Sequence, residues 1–74
     1  REHIIMKVGN GPASRQPVIE IANLFRAKVV NVAESRLMLE LTGEPEKIDS
    51  FIGLLQPYGV KEIVRTGISA LERD

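Results

Sequence analysis

The chain has no cysteine and no tryptophan, and its 74 residues include one histidine, two phenylalanines and one tyrosine. Each shortage removes a class of function. Without thiols there is no disulfide and no thiolate metal site. A single imidazole, His3, cannot build a structural zinc site inside one chain. It is also the sole candidate base of its kind, so no Ser/His/Asp or Cys/His set can be assembled. Phe25, Phe51 and Tyr58 are too few for a base-stacking surface. Charge of one sign is missing as well, because ten basic residues balance ten acidic ones. Nucleic-acid binders carry a basic excess, since phosphate contacts supply most of their affinity, so no nucleic-acid partner is expected. No apolar run approaches the length of a membrane span, and no segment reads as a signal or transit sequence. No membrane partner is expected either.

What is present is a balanced, amphipathic chain of one small domain's length. Such a chain buries only roughly 60% of its unfolded surface, so it is marginal alone. Burial against another chain is its remaining route to stability. The chain starts at Arg1 rather than Met and reads as a fragment of a longer protein.

The periodicity predicts alternating elements. Residues 2–8 (EHIIMKV) form a β-rich run, broken by Gly9-Asn10-Gly11-Pro12. Ser14 is the expected N-cap of a first helix, and Pro17 falls at its third position, where the missing N–H costs nothing. Val18, Ile21, Ala22 and Phe25 repeat at i, i+3, i+4, i+7, with Leu24 widening the stripe. Arg26 and Lys28 suit the negative end of that helix. Strands are expected over 28–33 and 36–42, joined at Glu34-Ser35 as a hairpin. Gly43 ends the second of them. Pro45 and the flanking acids Glu44 and Glu46 open a second helix, where acids complement the dipole. Its stripe is Ile48, Phe51, Ile52 and Leu55, and Pro57-Tyr58-Gly59 stops it. A last strand is expected over 60–66, and Ile68 and Leu71 of the tail are available to pack.

The order β-α-β-β-α-β is the α+β, ferredoxin-like plan: a four-stranded antiparallel sheet with two helices on one face. Alternation assigns Leu37, Leu39 and Leu41 to the helix side, and Ile4, Met6 and Val8 alternate with His3, Ile5 and Lys7. The second strand carries valines on both faces. The face away from the helices is expected to hold a mixed apolar patch of Ile5, Val29, Met38 and Ile63, suited to pairing with another subunit. Arg65, in Arg65-Thr66-Gly67, is a further candidate contact, because arginine bonds carboxylates directionally and is enriched at interfaces.

Several phrases resemble one family over essentially the whole chain. They are Leu24-Phe25-Arg26-Ala27-Lys28-Val29-Val30-Asn31-Val32, Leu39-Glu40-Leu41-Thr42-Gly43, Lys47-Ile48-Asp49-Ser50-Phe51, and residues 57–67 (PYGVKEIVRTG). They are similar to the C-terminal domain of the small, regulatory subunit of acetolactate synthase (acetohydroxyacid synthase). The resemblance implies a non-catalytic, ACT-like domain with the same ferredoxin-like fold. It implies assembly as a homodimer or higher homo-oligomer and coupling to the catalytic subunit in branched-chain amino acid biosynthesis. Thiamine diphosphate, magnesium and FAD would belong to that catalytic subunit, and this chain would hold no cofactor. Valine feedback would act through an N-terminal ACT domain outside these residues. The implied location is the cytoplasm of a bacterium or an organelle of a eukaryote. Two positions depart from the family: Pro17 stands where an acid is frequent, and Asn31 where an aspartate is common.

Two alternatives remain beside this reading. An ACT-like dimer could itself sense an amino acid. An acylphosphatase-like hydrolase uses an anion loop after the first strand, an arginine at the helix start and a strand asparagine. Asn10, Gly11 and Arg15, with Asn31, could fill those roles, using free N–H groups at the helix start. A Gly-Pro turn explains the same loop without any ligand, and fold alone does not settle function. His3 as a metal ligand, in the manner of nickel sensors of this fold, lacks companions.

Overall fold

The computed structural model describes residues 1–9, 11, 13–33 and 35–67. Its elements are β1 (Glu2–Gly9), α1 (Arg15–Phe25), β2 (Lys28–Ala33), β3 (Arg36–Gly43), α2 (Pro45–Leu55) and β4 (Val60–Gly67), with a 3-10 turn at Gln56–Tyr58. The strands form one antiparallel sheet in the order β2-β3-β1-β4. This is the ferredoxin-like arrangement. Ile68 and Leu71, expected to pack, lie outside the described residues, as does Glu34 of the expected hairpin turn.

The helices form where the sequence places their stripes, but their ends are made differently. Ser14 precedes α1, yet its side chain makes no capping bond. Backbone contacts act instead: the Ser14 and Arg15 N–H groups donate to Gly11 O at 3.1 and 3.0 Å. At the other end Arg26 adopts a left-handed conformation with φ 61°. Its N–H donates to Asn23 O at 3.1 Å, and the Ala27 N–H reaches back to Ala22 O at 2.8 Å. That is the Schellman pattern, in which the chain reverses after satisfying the last helical carbonyls. Ala27 then packs on the core and the chain enters β2 at once. Arg26 therefore ends the helix through its backbone. Helix α2 starts at Pro45 after an extended Glu44 and carries Glu46 in its first turn. Gly59, with φ 80°, provides the left-handed turn into β4.

The core lies between the helices and one sheet face. Ile4, Met6 and Val8 of β1 and Leu37, Leu39 and Leu41 of β3 meet Val18 and Ala22 of α1 and Ile48, Phe51 and Leu55 of α2. The two central strands thus supply alternate residues, while each helix supplies its 3.6-residue stripe. The Phe25 and Phe51 rings bridge the helices, tilted by 55° with centroids 5.2 Å apart. Each large aliphatic side chain buried here contributes about 1.5–3 kcal/mol relative to exposure.

Candidate functional site: the open face of the sheet

Antiparallel neighbours that stand directly opposite point to the same side of a sheet. The register therefore assigns every strand residue to a face. On β1 the residues that face away from the core are His3, Ile5, Lys7 and Gly9. Opposite them on β3 stand Thr42, Glu40, Met38 and the exposed Arg36, and opposite the first three on β4 stand Thr66, Val64 and Glu62. From β2, Val30 stands opposite Met38 and Lys28 opposite Glu40. Among the described residues, the helices pack on the other face.

Four apolar side chains cross this open face diagonally: Val30, Met38, Ile5 and Val64. Val30 and Val64 are exposed, at 36% and 54%; Ile5 and Met38 are half-buried by their neighbours. Polar pairs flank the diagonal on both sides. On one side Lys7 Nζ lies 3.4 Å from Glu62 Oε1. On the other, His3 Nε2 lies 2.7 Å from Glu40 Oε2, and Lys28 stands across from Glu40.

Two residues expected on this face are not there. Ile63 stands opposite Met6, and Val29 opposite Leu39, so both point to the helix side. The difference in β4 has a definite physical cause. The β1–β4 register shifts between Lys7 and Val8, which pair with Glu62 and Val60. Lys61 is the extra residue of a β-bulge, and one extra residue reverses the alternation. Val60 can then pack on the core while Val64 faces outward. In β2 the valines occur on both parities and give no preference. Lys28 was the usable signal: it shares a side with Val30, and a lysine belongs on the solvated side.

Arg65 also sits on the helix side, opposite Ile4. Its Nε donates to Glu2 Oε1 at 2.6 Å and its NH1 to Asp49 Oδ1 at 2.8 Å. These hydrogen bonds, Asp49 first and then Glu2, hold its guanidinium pKa above the ordinary value. Its directional bonding is thus used to tie β1 and α2 to β4 within the chain.

The expected anion loop is only partly in view, because Asn10 lies outside the described residues. Gly11 accepts the two N–H bonds already noted, so the Ser14 and Arg15 amides are committed to the loop itself. Arg15 is exposed at the start of α1. Elsewhere, Pro17, Glu20, Ile21, Leu24 and Tyr58 line a shallow groove beside α1, where Leu24 is 77% exposed. Among the described residues no group of three or more His, Cys, Asp or Glu could hold a metal ion. None of the described helices is long and apolar enough to cross a membrane.

Comparison with known proteins places this geometry in a family. The sequence model described as "Small subunit of acetolactate synthase" matches residues 1–74. The acetolactate synthase small subunit of Bacillus subtilis is 44% identical over 73 residues, covering 99% of this chain and 42% of that protein. The Mycolicibacterium smegmatis small subunit is 42% identical over 73 residues, with 99% and 43% covered. The chloroplastic small subunit 2 of Arabidopsis thaliana is 38% identical over 74 residues, which are 100% of this chain and 16% of that protein. The chain thus spans less than half the length of these relatives. Among solved structures, the Thermotoga maritima acetolactate synthase small subunit superposes with a TM-score of 0.80 at 33% identity, covering 89% of this chain and 40% of that one. The acylphosphatase of Bacillus subtilis superposes with a TM-score of 0.59 at 20% identity, over 88% of this chain and 81% of that one, a likeness of fold alone. The match over its whole length, with the fold to go with it, makes this chain a member of the acetolactate synthase small-subunit family.

Proposed function

We propose that the chain is the C-terminal, non-catalytic domain of the regulatory subunit of a thiamine-diphosphate-dependent acetolactate synthase. In this reading it mediates subunit assembly and couples the regulatory subunit to the catalytic subunit in branched-chain amino acid biosynthesis. The supporting observation is the family match along the entire chain. The open sheet face suits the role. It joins exposed apolar side chains to charges of both signs, on a domain small enough to gain from covering them.

Cofactor chemistry then belongs to the catalytic subunit, and the valine site to a separate ACT domain. This chain's part is mechanical, a rigid sheet whose outer face meets protein. The test is capture of the acetolactate synthase catalytic subunit by the immobilised chain, together with calorimetry against valine. Saturable capture and no stoichiometric heat are expected. A clear one-to-one heat with valine would move the effector site into this chain, and absence of capture would remove the coupling role.

A further inference from the structure

We infer that the outer groove between α1 and the end of α2 takes an amphipathic helix of the catalytic subunit, one that carries a lysine or arginine beside its apolar stripe. The inference rests on the coupling reading above and gives it a second surface, on the side of the domain opposite the open sheet face.

The groove is built from apolar residues that the core leaves partly or wholly uncovered. On α1, Val18 and Ala22 are fully buried. Pro17, Ile21 and Leu24 follow one another at i, i+4, i+7 along the neighbouring line of the helix, the spacing of a seam made for another helix. Pro17 and Ile21 are half-buried, and Leu24 stands out at the end of the line. Tyr58, in the 3-10 turn after α2, forms the other wall. Helical geometry continues that wall with Leu54. Asp49 marks the flank of α2 that faces β4, because it bonds Arg65 there. Leu54 lies about 140° round the helix from Asp49, and only about 60° from Phe51, which touches Phe25 of α1. Leu54 is therefore turned toward α1, and it is exposed. Single exposed leucines are ordinary, but these two stand over one groove.

Charge and depth decide the occupant. The lining holds one carboxylate, Glu20, and no basic residue. Glu20 is exposed, and the bond it accepts from the Gln16 amide is uncharged and long, at 3.4 Å. A lysine or arginine brought in from outside would make the stronger, charge-assisted bond. The same groove of a second copy would set acid against acid, so the complement belongs to a different chain. The coupling reading supplies that chain. The groove is shallow, with a volume of about 370 Å³. A small molecule would stay largely wet in it, whereas a helix laid along α1 covers its own apolar stripe.

Capture of the catalytic subunit by the immobilised chain, read as a Kd for each variant, tests the groove. Leu24→Gln and Leu54→Gln change exposed side chains, so their melting curves by circular dichroism should match the parent's. Their Kd values should nevertheless rise about tenfold or more. Glu20→Lys should weaken capture by a similar factor, and Glu20→Gln should flatten the parent's salt dependence, since the pair it removes is one that salt screens. Kd values within about twofold of the parent for all four variants would overturn the groove. So would a loss confined to Met38→Lys, which would place the whole contact on the sheet face and leave the coupling reading intact. Losses at the two leucines with no effect at Glu20 would overturn the basic partner. No capture by the parent chain would overturn coupling and groove together.

Discussion

Val64 stands directly across from Ile5 on the uncovered side of the sheet, one residue along from Ile63, which stands across from Met6 on the helix side. Adjacent residues of one strand therefore have separate duties. Ile63 is itself 39% exposed, so Ile63→Ala, which trims apolar surface on the helix side of the sheet, should destabilise the fold by about 0.5–1 kcal/mol, well short of a core position. Val64→Ala should change folding stability by less than about 0.5 kcal/mol, as exposed substitutions do, and should act on association instead. Paired urea titrations read the difference. Equal losses at both positions would contradict the face assignment.

Phe51 is fully buried and touches the other phenylalanine across the helix pair. Phe51→Ala should cost about 3–5 kcal/mol, counting the cavity it leaves. A domain of this size holds only about 4–11 kcal/mol in total, so the variant should show a shallow or missing unfolding transition. Phe51→Leu keeps most of the volume and should retain a cooperative transition. Near-equal behaviour of the two variants in thermal unfolding would mean that the ring is not central to the core.

Arg26 holds a left-handed conformation that costs an L-residue about 1–2 kcal/mol and glycine almost nothing. Arg26→Gly should therefore stabilise the chain, by about 0.5–1 kcal/mol after the greater freedom of the unfolded glycine is counted. Gly59→Ala, at φ 80°, should do the reverse by about 1 kcal/mol. Chemical denaturation of both variants reads opposite signs if the two turns are as described.

The Arg65 clamp gives a pH prediction. Its pKa is raised on folding, so its stabilising effect is fully present below the unfolded arginine value and is lost only as pH rises through the higher folded value. That window lies above the working range of proteins. The difference in melting temperature between the parent and Arg65→Gln should therefore hold constant from pH 6 to pH 9, with the variant the less stable. A difference that shrinks steadily toward pH 9 would contradict the assignment.

Much of this architecture can be read from the sequence because burial imposes a period. Leu37, Leu39 and Leu41 alternate with polar neighbours in β3, and Ile48, Phe51, Ile52 and Leu55 repeat at helical spacing in α2, so faces and element types follow together. The order of elements then specifies the ferredoxin-like plan. The candidate site is less legible where no period survives. In β2 valines sit on both parities, and in β4 the bulge at Lys61 changes parity within the strand. Nothing in Val60-Lys61-Glu62 marks such an insertion, since a bulge at that place needs no glycine. Arg26 is similar: an arginine carries no sign of a left-handed position that glycine would have announced. Arg65 reads as an arginine that seeks carboxylates, and it finds them inside its own chain at Glu2 and Asp49.

On the assembly reading, the open sheet face is where this domain meets protein. Methyl NMR with a soluble paramagnetic probe tests it most directly, on the chain at rising concentration and then with the acetolactate synthase catalytic subunit added. The methyls of Ile5, Met38 and Val64 should be bleached in the dilute chain and become protected as the chain is concentrated or the catalytic subunit is added, while the exposed Leu24 methyls stay bleached as the chain is concentrated. Open-face methyls that remain as accessible as Leu24 under every condition, with or without the catalytic subunit, would contradict it.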